Sequence, residues 1–176
     1  MSKSPQAIDH DRETFRSYAW QVNEALHDWT AKVDTKASVI LSLETAVLGI
    51  VLLFAGPDKP LGHLTGQAVW VFRVGILFLV AAVVAAGAAI FPQLNRREAR
   101  KRWRENYVYF GHLRHWNPAD LIATLENHGP RETNYVLSVQ MIALSKIIWR
   151  KHTLLQWSLC LVVLGNLGIW AAVLLK

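Results

Sequence analysis

The chain has 176 residues, a formal net charge of +6, and a composition that is 52% hydrophobic but still 18% charged. A positive mean hydropathy of +0.20 beside that charge excludes an ordinary soluble domain, and the charge excludes a bare membrane bundle. One cysteine, Cys160, excludes a disulfide framework or a cysteine-based zinc site.

Residues 1–8 read as a loose tail; MSKSPQAIDHDRE lacks the apolar core of a signal peptide, so the spans themselves are expected to direct targeting. From Asp9 to Lys36, Phe15, Tyr18, Val22, Ala25, Trp29 and Val33 recur at steps of three and four, which predicts an amphipathic cytosolic helix over 1–36. Asp28 precedes Lys32 by one turn, the favourable order for a helical ion pair. The stripe fits packing on the protein's own cytosolic helices or a seam between copies. Without a break the helix enters a first span, 37–55, in which Glu44 is the only charged residue. Nineteen helical residues at ~1.5 Å each reach ~28 Å, close to the thickness of a hydrocarbon core.

Gly56-Pro57 ends that span, and 56–67 reads as a short periplasmic loop between antiparallel helices. A second span covers 68–91 and stops at Pro92; a third covers 153–175. Between them, 92–152 reads as a basic helical cytosolic region with eleven Lys/Arg against five acids. Its first part, from Leu94 to Trp116, predicts a basic helix leaving the second span, with Gly111 as its break point. Asn117-Pro118 starts the next helix and His128-Gly129-Pro130 ends it. Thr133 to Leu175 is then expected as one helix. The fold class predicted is an all-α membrane protein of three transmembrane helices with helical cytosolic extensions. Lysine and arginine crowd the 92–152 side, and Lys32 and Lys36 flank the first span there, so a multi-pass topology with a cytosolic N-terminus follows. That topology brings Trp70 and Trp170 to the outer interface.

Among the polar residues within the spans, Glu44, Arg73 and Asn166 stand out. Glu44 lies ~10 Å below the inner surface at the helical rise, where a carboxylate costs ~2.5 kcal/mol or more unless protonated, paired or facing a polar cavity. Arg73 enters from the outer side and snorkels outward; Asn166 lies deeper in the third span than Glu44 does. The run Arg96, Arg97, Arg100, Lys101, Arg102, Arg104 fits an anchor against anionic lipid or a phosphate site, and no nucleic-acid module accompanies it. His112 and His115 stand without cysteine or near carboxylates, so no metal site is read there. Lys36 and Asp34, two apart on a helix, point away from each other and make no catalytic dyad. No nucleophile elbow, phosphate loop or dinucleotide turn is present, so no residue is read as catalytic, no cofactor is expected and the chain is not read as an enzyme.

Trp29 followed by Asp34-Thr35-Lys36-Ala37-Ser38 and an apolar span resembles the opening signature of the Pycsar transmembrane effectors. Tyr109-Phe110-Gly111, Gln140 with Ser145, and Arg150-Lys151 before the last span are similar to the remainder, so the likeness runs from about residue 15 to 170. It implies a bacterial inner-membrane effector of abortive infection, functionally paired with a nucleotide cyclase and activated by cyclic UMP or cyclic CMP to impair the membrane. A cyclic pyrimidine mononucleotide needs a cation for its single phosphate charge and an aromatic face for its ring. Lys36, Arg100, Arg104, Tyr107 and Lys151 are the candidates, in what is expected to be a homo-oligomer embedded in the lipid bilayer. The competing expectation is a passive membrane scaffold that recruits a partner protein through its cytosolic stripe.

Overall fold

A computed structural model describes residues 5–91 and 103–176. Five α-helices account for most of them: α1 over Pro5–Phe54, α2 over Gln67–Ile90, α3 over Phe110–Leu113, α4 over Pro118–Asn127 and α5 over Pro130–Leu174. No strand occurs among the described residues. The N-terminal segment expected as a tail is already helical from Pro5. Helix α1 runs through Asp34, and α5 through His152, without interruption. The basic helix expected after the second span does not extend across the described part of that segment. Trp103–Glu105 is a single 3₁₀ turn, and 106–109 is non-helical, because the Asn106 side chain accepts from the Val108 and Tyr109 amides and so holds a turn. Arg96, Arg97, Arg100, Lys101 and Arg102 lie outside the described residues, as does the side chain of Phe15.

Contacts divide the chain into two compact units. The second comprises Ala31–Phe91 and Trp149–Lys176, and it holds all of α2 with the C-terminal parts of α1 and α5. Along α2 the buried residues are Ala68, Phe72, Gly75, Leu79, Ala82, Ala86 and Ala89, an alternation of four- and three-residue steps. That spacing is the left-handed knobs-into-holes pattern. Small residues at most of these positions let backbones close up. A methyl added at Gly165 of α5 would lie 2.9 Å from the Gly75 carbonyl oxygen of α2, and one at Gly168 would lie 3.2 Å from Gly75 Cα. Lipid is as apolar as leucine, so helix association there rests on such close packing. Leu79 and Ile169 fill the adjoining layer with Phe72 and Val51. Gly66 precedes α2 with φ of 58°, a left-handed conformation that glycine adopts without a Cβ penalty.

The exterior of this unit is greasier than its seam. Leu43, Leu53, Leu77, Val84 and Leu167 are all more than half exposed, whereas Glu44 and Ser158 are buried. An exposed apolar surface of that extent marks a membrane contact. Three helices, in α1, α2 and α5, are long and apolar enough to cross a membrane. Trp70 and Trp170 are exposed, and the Arg73 guanidinium rests over the Trp70 ring, 5.2 Å from its centroid. Arg73 therefore lies alongside an aromatic anchor.

The first unit, described over 5–30 and 103–148, holds the N-terminal part of α1, helices α3 and α4, and the start of α5. Among its described α1 side chains Ala19 and Asn23 are buried, and Val22, Leu26 and Thr30 are half-buried. The expected stripe is thus displaced: Tyr18 and Trp29 are 64% and 63% exposed, and among the described side chains of that set only Val33 is buried, with Val22 half-buried. In the second unit the buried and half-buried α1 residues Val33, Ala37, Ile40, Glu44, Val47 and Val51 recur at steps of four and three.

Candidate functional site

Polar side chains at seam positions tie the helices in register. In the second unit Lys151 is 5% exposed and donates to Asp34 Oδ1 at 2.5 Å. Two turns after Ala37 on α1 and two turns after Lys151 on α5, the Ser158 hydroxyl donates to Glu44 Oε1. Glu44 is buried, and its Oε2 has no hydrogen-bond partner among the described residues. These two links pair α1 with α5 in parallel, since both partners advance in the same chain direction. Asn166 forms no such link; its amide donates to the Val162 carbonyl one turn back at 2.8 Å.

In the first unit Gln140, on α5, accepts from Asn106 Nδ2 at 3.2 Å, and both are buried. Asn106 also holds the turn that leads into Tyr109. The Tyr109 ring folds over Gly111, where a Cβ would collide with it, so only glycine fits. Burial pushes the Tyr109 phenol above its ordinary range, opposed by the charge of Arg114, so it stays neutral.

Beside this knot lies an open cleft of about 600 Å³ lined by Arg104, Trp116, Asp120, Ala123, Thr124, Asn127, His128 and Glu132. Its volume falls within the ~300–1,000 Å³ usual for small-molecule sites. The walls come from the 3₁₀ turn, the segment before α4, one face of α4, and the first turn of α5. Trp103 positions the cation: the Arg104 guanidinium packs over its ring, 5.0 Å from the centroid. Trp116 packs edge-on against Trp103, centroids 5.1 Å apart, and its indole N–H donates to the Trp103 carbonyl at 3.0 Å. Asn117 caps α4 by accepting from the Asp120 amide at 2.8 Å, as its sequence signal predicts. His128 Nδ1 donates to the Thr124 carbonyl at 2.6 Å, leaving Nε2 uncommitted, and its ring meets Tyr107 at 5.5 Å. The Tyr107 hydroxyl is buried without a hydrogen-bond partner among the described residues.

The sequence-derived candidates therefore separate. Arg104 lines the cleft and Tyr107 backs it through His128. Lys151 is engaged by Asp34 in the other unit, and Lys36 is exposed there. Arg100 lies outside the described residues. Of the remaining motif positions, Trp29 and Phe110 are exposed, Ser38 donates to the Asp34 carbonyl and Ser145 to the Ile142 carbonyl, each within its own helix. Trp116, Asn127, His128 and Glu132 escaped sequence reasoning as site residues. The signal was present only as punctuation, since Asn117-Pro118 and His128-Gly129-Pro130 mark the two helix ends that border the cleft. Among the described residues no three His, Cys, Asp or Glu side chains gather as a metal site.

No curated protein and no solved structure matches the chain. The model of a family described as PycTM, the Pycsar effector protein domain, matches residues 18–176, which takes in both units' described residues from Tyr18 onward. The likeness carried by Asp34 to Ser38, Tyr109 to Gly111 and Gln140 is therefore one of descent: the chain belongs to the Pycsar effector family.

Proposed function

We propose that this protein is a non-catalytic membrane effector of antiphage defence, which binds a cyclic pyrimidine nucleotide and then impairs the bacterial inner membrane, killing the infected cell. The observation that carries this reading is a cleft with one positioned guanidinium, Arg104, and an indole wall, Trp116, in a chain of the Pycsar effector family. Arginine meets a phosphate diester through charge-assisted hydrogen bonds, and an aromatic face takes a pyrimidine ring. Lys/Arg excess in 92–152 favours a cytosolic N-terminus, which puts the first unit in the compartment where a partner cyclase would release its product. Lipid takes the apolar exterior of the three long helices.

Helices α1 and α5 each contribute residues to both units without a break, which supports a signal carried along helices into the bilayer. Several copies acting together would form the lesion. The test is dye release from liposomes containing the full chain. Cyclic CMP or cyclic UMP is expected to trigger release that Arg104→Ala suppresses; no release with either nucleotide would refute activation by these ligands. A scaffold reading draws on the exposed Tyr18 and Trp29. It predicts that Trp29→Ala abolishes function while Glu44→Leu leaves it intact, whereas the effector reading requires both substitutions to matter.

A further inference from the structure

The cleft is lopsided in its hydrogen-bonding chemistry. Among the described lining residues Arg104 is the only Lys or Arg, and it forms no ion pair with another described residue. Two carboxylates, Asp120 and Glu132, stand against that single cation. Several donors are already spent: the Trp116 N–H on the Trp103 carbonyl, His128 Nδ1–H on the Thr124 carbonyl, and Asn127 Nδ2 on the Ala123 carbonyl at 2.7 Å. What remains on the described lining residues is one guanidinium, the Thr124 hydroxyl and the second Asn127 amide N–H, beside acceptors on Asp120, Glu132, Asn127 and His128. Such a site complements a molecule with an anion at one end and N–H donors at the other.

The two cyclic pyrimidine nucleotides differ there. Once Arg104 takes the phosphate, either sugar offers the same 2′-hydroxyl. Cytosine then presents an exocyclic amino group with two N–H donors. Uracil presents a carbonyl oxygen at that position, and a carboxylate facing it would set acceptor against acceptor. Resting on the nucleotide reading above, we propose that the cleft selects cytosine over uracil, with Glu132 as the residue that reads the exocyclic amine. Asp120 is the weaker reader, because its Oδ2 already accepts from Asn117 at 2.8 Å in the cap of α4. Glu132 is exposed and has no hydrogen-bond or ion-pair partner among the described residues.

Calorimetric titration of the full chain in lipid nanodiscs with cyclic CMP and with cyclic UMP tests this. Cyclic CMP is expected to bind about tenfold or more tightly, and Glu132→Gln to bring the two within about threefold, as loss of one base-reading contact does. Glu126→Gln, on α4 outside the cleft, should leave the ratio alone, and Arg104→Ala should weaken both nucleotides alike. Equal affinities, a preference for cyclic UMP, or a preference that survives Glu132→Gln would overturn the selection while the nucleotide-effector reading stands. Absence of binding by either nucleotide would overturn that reading and the selection with it.

Discussion

Removing Asp34 should cost more than removing the lysine it holds. In Asp34→Ala the Lys151 side chain, 7% exposed, keeps its charge in the seam between α1 and α5 without a counter-ion. Breaking a fully buried pair from one side costs ~3–5 kcal/mol. The Asp34 side chain is 40% exposed, so water reaches this pair, and the expected penalty falls to about 2–3 kcal/mol. Lys151→Met leaves instead a carboxylate that can hydrate, and its thioether fills the apolar seam, so that change should cost under ~1 kcal/mol. The double variant should then match Lys151→Met alone, giving a coupling of roughly 2 kcal/mol. For a chain of this size ~1 kcal/mol shifts the melting temperature by about 2–4 °C. Circular dichroism of the detergent-solubilised chain should therefore place Asp34→Ala about 4–12 °C below the native protein, at the same scale of shift per kcal/mol. Should Lys151→Met melt as low as Asp34→Ala, or the coupling fall under ~0.5 kcal/mol, the pair does not hold the two helices together.

Gly111→Ala drives a methyl into the Tyr109 ring, and a loss of ~1–3 kcal/mol is expected in the first unit, readable as faster amide exchange around 106–113. Gln140→Leu strips Asn106 Nδ2 of its partner, at ~1–3 kcal/mol for the buried donor; if Asn106→Ala and Gln140→Leu simply add, the two residues are not coupled. Gly165→Leu pushes α5 off α2 at Gly75, and its effect on melting should exceed that of Gly87→Leu, where a Cβ meets nothing within 4 Å. Tyr109 has its ionisation raised above the ordinary value of 10.0, so its contribution to stability is complete below about pH 10 and is lost as pH rises through the raised value. Tyr109→Phe should flatten that alkaline loss, and an unchanged alkaline melting profile would count against a buried phenol.

The extent of helix was legible in the residues themselves. Apolar runs of spanning length bounded by Gly56-Pro57 and Pro92 leave a backbone no other way to satisfy its amides in lipid. Asn117-Pro118 marked the start of α4 just as directly, because a cap and a fixed φ act within one turn. Rotation of the helices was not legible. Hydrophobicity along 15–33 pointed to Tyr18 and Trp29, yet the residues buried there are the small Ala19 and the polar Asn23, with Leu26 and Thr30 half-buried on the same line. Only tertiary packing decides such a seam, since close approach rewards small size, and a buried amide or carboxylate is tolerated only where a distant residue answers it. Gln140 finds Asn106 across 34 residues, Lys151 finds Asp34 across 117, and Ser158 finds Glu44 across 114. Composition announces that these polar groups must be satisfied; the fold alone settles by whom, and it is the same fold that gathers Arg104, Trp116 and Glu132 from three separate segments around one cleft.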